Sequence, residues 1–132
     1  MIAAPLPDVD EYWPLVEWAF QNFEDRSGGD AEAGHLRQMV RNDERQCWVA
    51  MDGEQIYAVG LTEVIQPHKR VVFDFCAGKD RDGWQELMVQ TIETWAREIG
   101  SAGMRTYNRT GWTPFLRDQG YRETHRIMEK AF

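Results

Sequence analysis

Few features of this sequence assign it to a chemistry at sight. Its 132 residues hold two cysteines, Cys47 and Cys76, each inside an apolar stretch and neither in a Cys-x-x-Cys or His-partnered spacing. That argues against a metal site and predicts two buried, reduced thiols. No apolar run approaches the roughly 20 residues that cross a bilayer, so no membrane partner is expected. The first residues, MIAAPLPDVDEYW, have neither the basic start nor the long apolar centre of a signal peptide, which makes the cytoplasm the expected location. Lys and Arg number 15 against 22 Asp and Glu, for a net charge of −7, and no basic cluster stands out. Such a surface does not neutralise a phosphate backbone, so nucleic acid is not an expected partner. Repeats, low-complexity tracts and long linkers are also missing, and the length suits one domain over residues 1–132.

What the chain does have is periodicity. Segment 10–24, DEYWPLVEWAFQNFE, spaces Tyr12, Trp13, Leu15, Val16, Ala19, Phe20 and Phe23 along one helical arc, with Pro14 in the first turn. Trp18 falls outside that arc, between Gln21 and Glu11, and is expected to be exposed and to contact a protein partner. RSGGD breaks the chain, and a second helix is predicted over AEAGHLRQMVRN with Asp30 as its N-cap. CWVAM, the turn DGE and QIYAVGLTEVI then read as a hairpin whose second strand is apolar on both faces, as a central strand is. RVVFDFCA is a further strand. A strongly amphipathic helix follows, with Trp84, Leu87, Met88, Ile92, Trp95 and Ile99 in one stripe, Asp82 and Gln85 as a capping-box-like start and Gly100 as the stop. Leu87 and Trp95 are expected to be buried in the core. MRTYN predicts a strand and TPFLRDQG a very short helix, and YRETHRIMEKAF is expected to close the chain as a last strand.

This order predicts an α/β fold with a mixed sheet. From about Cys47 to Phe132 the sequence resembles the GCN5-related N-acetyltransferase (GNAT) superfamily, through the hairpin, the strand into the loop, LMVQTIETWAREIG, and FLRDQGYRETHRIMEKAF. The resemblance implies a mixed, mostly antiparallel sheet with helices on both faces. Only Ile2 to Ala4 remain for the first strand, which is therefore expected to be shortened and to leave a sheet edge for an assembly to cover. The layout is also similar to small GNAT-like proteins of bacteriophages, some encoded among virion-assembly genes. That similarity implies a protein partner, possible oligomerisation and a place in a virion.

The family holds the pyrophosphate of acetyl-CoA on a loop patterned Gln/Arg-x-x-Gly-x-Gly/Ala, where backbone amides meet the anion. In AGKDRDGW the basic position falls on Lys79, and Asp82 and Trp84 stand where the glycines belong, with Gly83 one residue out of register. An indole obstructs close approach of a phosphate to the backbone, and Asp82 and Asp80 repel it. The residue that resemblance makes the general acid is Leu116, which transfers no proton; Tyr107 and Tyr121 are the nearby phenols. Glu63, Asp74 and His125 are the polar residues in strand-like runs, and burial of Asp74 would raise its pKa unless a cation pairs with it.

Two readings follow. In the first, the chain is a GNAT-fold protein without acetyl-CoA chemistry, binding no cofactor and no metal and acting through protein contacts. In the second, it is an acetyl-CoA-dependent N-acetyltransferase with an atypical loop, Asp74 and Tyr107 being catalytic and Cys76, Gly78, Lys79, Arg81 and Gly83 holding the cofactor.

Overall fold

The computed structural model describes residues 1–79 and 83–132. A five-stranded sheet runs in the order β1 (Ile2–Pro5), β2 (Gln46–Asp52), β3 (Gln55–Ile65), β4 (Arg70–Gly78), β5 (Met104–Thr106). The first three pairings are antiparallel and β4–β5 is parallel. Helices α1 (Trp13–Arg26) and α2 (Ala33–Arg41) cover one face; α3 (Gln85–Glu98) and α4 (Thr113–Asp118) lie on the other. This is the α/β architecture expected, with a mixed, mostly antiparallel sheet, a four-residue first strand at one edge and helices on both faces.

The sheet divides the interior into two apolar layers because side chains alternate along its strands. Cys47 and Val49 of β2 point toward α1, and Trp48 and Ala50 toward α3. Strand β3 is apolar on both faces since it lies in the middle, and Gly53, with φ +62°, makes the turn into it. On the first face Val16, Ala19, Phe20 and Phe23 of α1 are buried, with Leu36 of α2 beside them. On the second, Met88, Val89, Ile92 and Ala96 of α3 pack against Trp48, Ala58, Val71 and Phe73. Gly60 lets α3 come this close, because a Cβ there would lie 2.9 Å from the Phe73 ring and 3.0 Å from the Met88 sulfur.

Several elements differ from the sequence-based expectations. Helix α2 starts at Ala33 with Glu32, not Asp30, at its N-cap. The expected N-cap Asp82 lies outside the described residues, and Trp84 occupies the N-cap position of α3. Leu87 is only half-buried and belongs to neither apolar layer, because the buried stripe of α3 runs through Met88, Ile92 and Ala96 and leaves Leu87 on its flank. Trp95 is also half-buried, with its ring edge-on to Trp48 at 5.3 Å.

The expected exposure of Trp18 is not found. Its indole folds back along α1, donates Nε1–H to the Leu15 carbonyl at 2.9 Å and packs on the first apolar layer, as helical side chains lean toward the N-terminus. Leu15, expected in the core, is exposed instead. The expected last strand is absent too: after Tyr121 the described chain makes no backbone hydrogen bond and its residues are exposed. A strand pattern without a neighbouring strand satisfies none of the backbone groups that make one.

Candidate functional site

Strand β4 pairs with β5 only at Val71, Val72 and Phe73. Beyond Phe73 it runs on to Gly78 while β5 stops at Thr106, so Asp74 to Gly78 have no strand on their β5 side. Between the two strands and the start of α3 lie aromatic rings. Trp112, in the 3-10 turn before α4, is 6.3 Å from Phe73, 6.1 Å from Trp84 and 6.0 Å from Phe115, ring centre to ring centre.

Trp84, on one side of Trp112 in this arrangement, is 1% exposed. Its indole packs against β4 where Gly78 has no side chain: a Cβ on Gly78 would come within 2.2 Å of the ring. Indole Nε1 donates to the Lys79 carbonyl at 2.7 Å, while the Lys79 amide donates to the Tyr57 carbonyl at 2.9 Å. Both backbone groups of Lys79 are thus taken within the protein. The Lys79 ammonium points the other way, 5.0 Å from the Trp18 ring across the sheet end. Gly83 is exposed, near Met1, and Arg81 lies outside the described residues. Cys76 faces the α3 side with Sγ 3.9 Å from the Met88 sulfur, and burial pushes its thiol pKa up.

Asp74 sits where the β3–β4 register slips by a residue, so that Asp74 and Phe75 both turn toward the α1 face. Arg45 meets it there. Its two terminal nitrogens lie 2.7 and 3.1 Å from the two Asp74 oxygens, a bidentate pair, and Glu63 lies 3.2 Å from the same guanidinium. Arg45 is 9% exposed, and its guanidinium carbon stands 5.2 Å from the Phe75 ring centre. Sequence reading named Asp74 and Glu63 but missed Arg45. Its signal is faint: a lone arginine in DERQCWV, two residues before the apolar part of β2.

Tyr107, the phenol favoured for proton transfer, is exposed just past β5. Tyr121 is held more firmly: its hydroxyl donates to Glu93 on α3 at 2.7 Å, and burial with that hydrogen bond pushes its pKa up. Leu116 is buried under α4, and His125 lies exposed in the terminal segment. The candidate residues therefore do not converge. Asp74 faces α1, Cys76 and Gly78 face α3, and Tyr107 faces solvent. A cavity of about 450 Å³ opens at the other end of the sheet, at the start of β2, among Leu6, Asp10, Arg41, Gln46 and Trp95. Among the described residues no group of three His, Cys, Asp or Glu side chains could hold a metal ion, and no helix is long and apolar enough to cross a membrane.

No family model and no curated protein matches the sequence. Solved structures do match the fold. A probable acetyltransferase superposes with a TM-score of 0.80 at 14% identity, covering 100% of this chain and 97% of its own. The aminoglycoside N-acetyltransferase AAC(6')-Iy in complex with CoA gives 0.71 at 10% identity, with 98% of each chain covered. A putative acetyl transferase from Pyrococcus furiosus gives 0.70 at 14% identity, covering 98% of this chain and 99% of its own. The chain has the fold of the GCN5-related N-acetyltransferases.

Proposed function

We propose that this chain is a GNAT-fold protein that has lost acyl-CoA chemistry and acts through contacts with other proteins. One observation carries the reading. The Trp84 indole fills the space beside Gly78 and the Lys79 amide is already given to the Tyr57 carbonyl, so at these described residues packed aromatic surface stands where an anion requires free backbone donors. The residues present do not fit the cofactor. The committed Asp74–Arg45 pair and the buried, unreactive Leu116 agree with this. The partner class follows from the sequence's similarity to phage GNAT-like proteins: a component of a virion or of its assembly.

The second reading, an N-acetyltransferase with an atypical loop, draws support from the CoA complex of AAC(6')-Iy, which shares the fold, and from the β5-side edge of Asp74 to Gly78, which has no strand on it. In that reading Asp74 and Tyr107 act on the acceptor, and Cys76, Gly78, Lys79, Arg81 and Gly83 surround the cofactor. Calorimetry with acetyl-CoA decides between them. The first reading expects a Kd weaker than about 1 mM, less than about 4 kcal/mol of binding. Micromolar affinity overturns it.

A further inference from the structure

We infer that the cavity at the start of β2 receives an arginine side chain presented by a peptide stretch of a partner protein. The inference deepens the reading of the chain as a contact protein, and it rests on that reading only for the partner's being a protein.

The cavity, about 450 Å³, is of the size that holds ligands. Its walls are tied together by the chain's own hydrogen bonds. The Leu6 amide donates to the Cys47 carbonyl at 2.8 Å, and the Glu44 and Arg45 amides donate to the Met39 carbonyl at 2.9 and 3.4 Å. Asp10 fastens the loop before α1 to Arg37 and Arg41 of α2. A shape held in this way before binding loses little freedom when it is occupied. The cavity also lies away from Trp84 and Gly78: Gln46, which opens β2, stands across from Thr62 and through it from Phe73, whereas Gly78 stands across from Ala58.

Charge and aromatic surface together name what enters. Three carboxylates, Asp8, Asp10 and Asp43, and two guanidinium groups, Arg41 and Arg45, line the cavity. Both guanidinium groups are already engaged, Arg41 by Asp10 and Arg45 by Asp74 and Glu63. Asp8 and Asp43 have no cation in ion-pair range among the described residues. One Asp8 oxygen accepts the Asp10 and Glu11 amides at 2.9 and 3.2 Å, which leaves the other open. Five carboxylates thus stand against three guanidinium groups, Arg37 included, on a chain of net charge −7. Such a site repels anions and draws cations. Among cations a guanidinium fits best, because its planar fork matches a carboxylate and its face stacks on an indole, and Trp95 stands half-buried in the wall. A last observation points to a peptide as its carrier. Arg45 is 9% exposed and its Nε is buried without an acceptor, a costly way to leave a donor. An arginine within a chain brings a peptide carbonyl beside its side chain, and that oxygen answers the donor directly or through a water.

The test is a titration of the isotope-labelled full chain with the capped peptide acetyl-Ala-Arg-Ala-amide, followed by NMR on the tryptophan indole N–H signals. The Trp95 signal should move saturably with a Kd below about 1 mM, while those of Trp84 and Trp112 stay in place. The lysine analogue should bind at least about threefold more weakly, and the citrulline analogue, of the same shape without the charge, should not saturate. Asp8→Asn with Asp43→Asn should keep the circular dichroism, since asparagine caps amides as aspartate does and tolerates the positive φ of residue 43, +59°. That variant should weaken binding about tenfold. A Trp95 signal that does not move, movement at Trp84 or Trp112 in its place, undiminished binding by the citrulline analogue or by the double variant, or equal binding of agmatine, which lacks the peptide carbonyl, would each overturn the inference. A chain that binds acetyl-CoA in calorimetry and still gives the expected titration loses the function proposed above and keeps this site.

Discussion

At the scale of single residues, Gly78 and Trp84 form one packing unit. A glycine on a strand usually weakens it, yet here the missing side chain is the seat of an indole. Gly78→Ala would place a methyl carbon 2.2 Å from that ring, so something must shift. The expected loss is about 1–3 kcal/mol in urea unfolding. In a Trp84→Leu background the same change should cost less, and a double-mutant cycle measures the coupling. The sequence showed that Trp84 belongs to the apolar stripe of α3, because helical spacing says so. It could not show the contact with Gly78, which depends on how far α3 slides along β4. Likewise Arg45 and Asp74 stand 29 residues apart and meet only because a register slip turns Asp74 to the α1 face.

At the scale of elements, α2 is tied to the loop before α1 by one carboxylate. Asp10 accepts from Arg41 at 2.7 and 2.8 Å and from Arg37 at 2.8 Å. Those hydrogen bonds, Arg41's first, hold its pKa well below the usual carboxylate range. An unfolded chain therefore takes up this proton before the folded one does, and the stabilisation is complete above the unfolded pKa and fades as pH falls through the folded one. Asp10→Asn should lower the urea midpoint at pH 7, with the difference from the parent closing as the pH drops below about 4. This tether was invisible in sequence, where Asp10 read as the start of a helix. Elements with strong internal periodicity were legible: α1, the β2–β3 hairpin and α3 lie close to where spacing put them. The terminal segment was not, since a strand is defined by its neighbour and no residue pattern names that neighbour.

For the whole molecule, the sheet separates two closed apolar layers, and Cys47 is sealed in one of them. Burial pushes its thiol pKa up to about 12. In a Cys76→Ser background Cys47 should resist a thiol reagent at pH 8 and react only as fast as the domain opens, so labelling rate measures global unfolding. The same shift has a consequence for stability. The folded state holds this proton more tightly than the unfolded chain does, so the contribution is intact below the unfolded value of 9.0 and declines as pH rises from there toward 12. The domain's alkaline limit should therefore move upward in Cys47→Ala, read as a melting temperature that falls less steeply above pH 9 than the parent's.

The division into two layers also sorts the tryptophans. Trp48, Trp84, Trp95 and Trp112 gather on the α3 side, while Trp13 and Trp18 lie on the α1 side, each under a cation, Arg37 and Lys79. With Trp13 and Trp18 replaced by phenylalanine, the molecule's ultraviolet emission would originate from the α3 layer alone. An adenine nucleotide arriving at the end of β4 would quench that light. Binding at that end of the sheet would then be read in a cuvette, without a label.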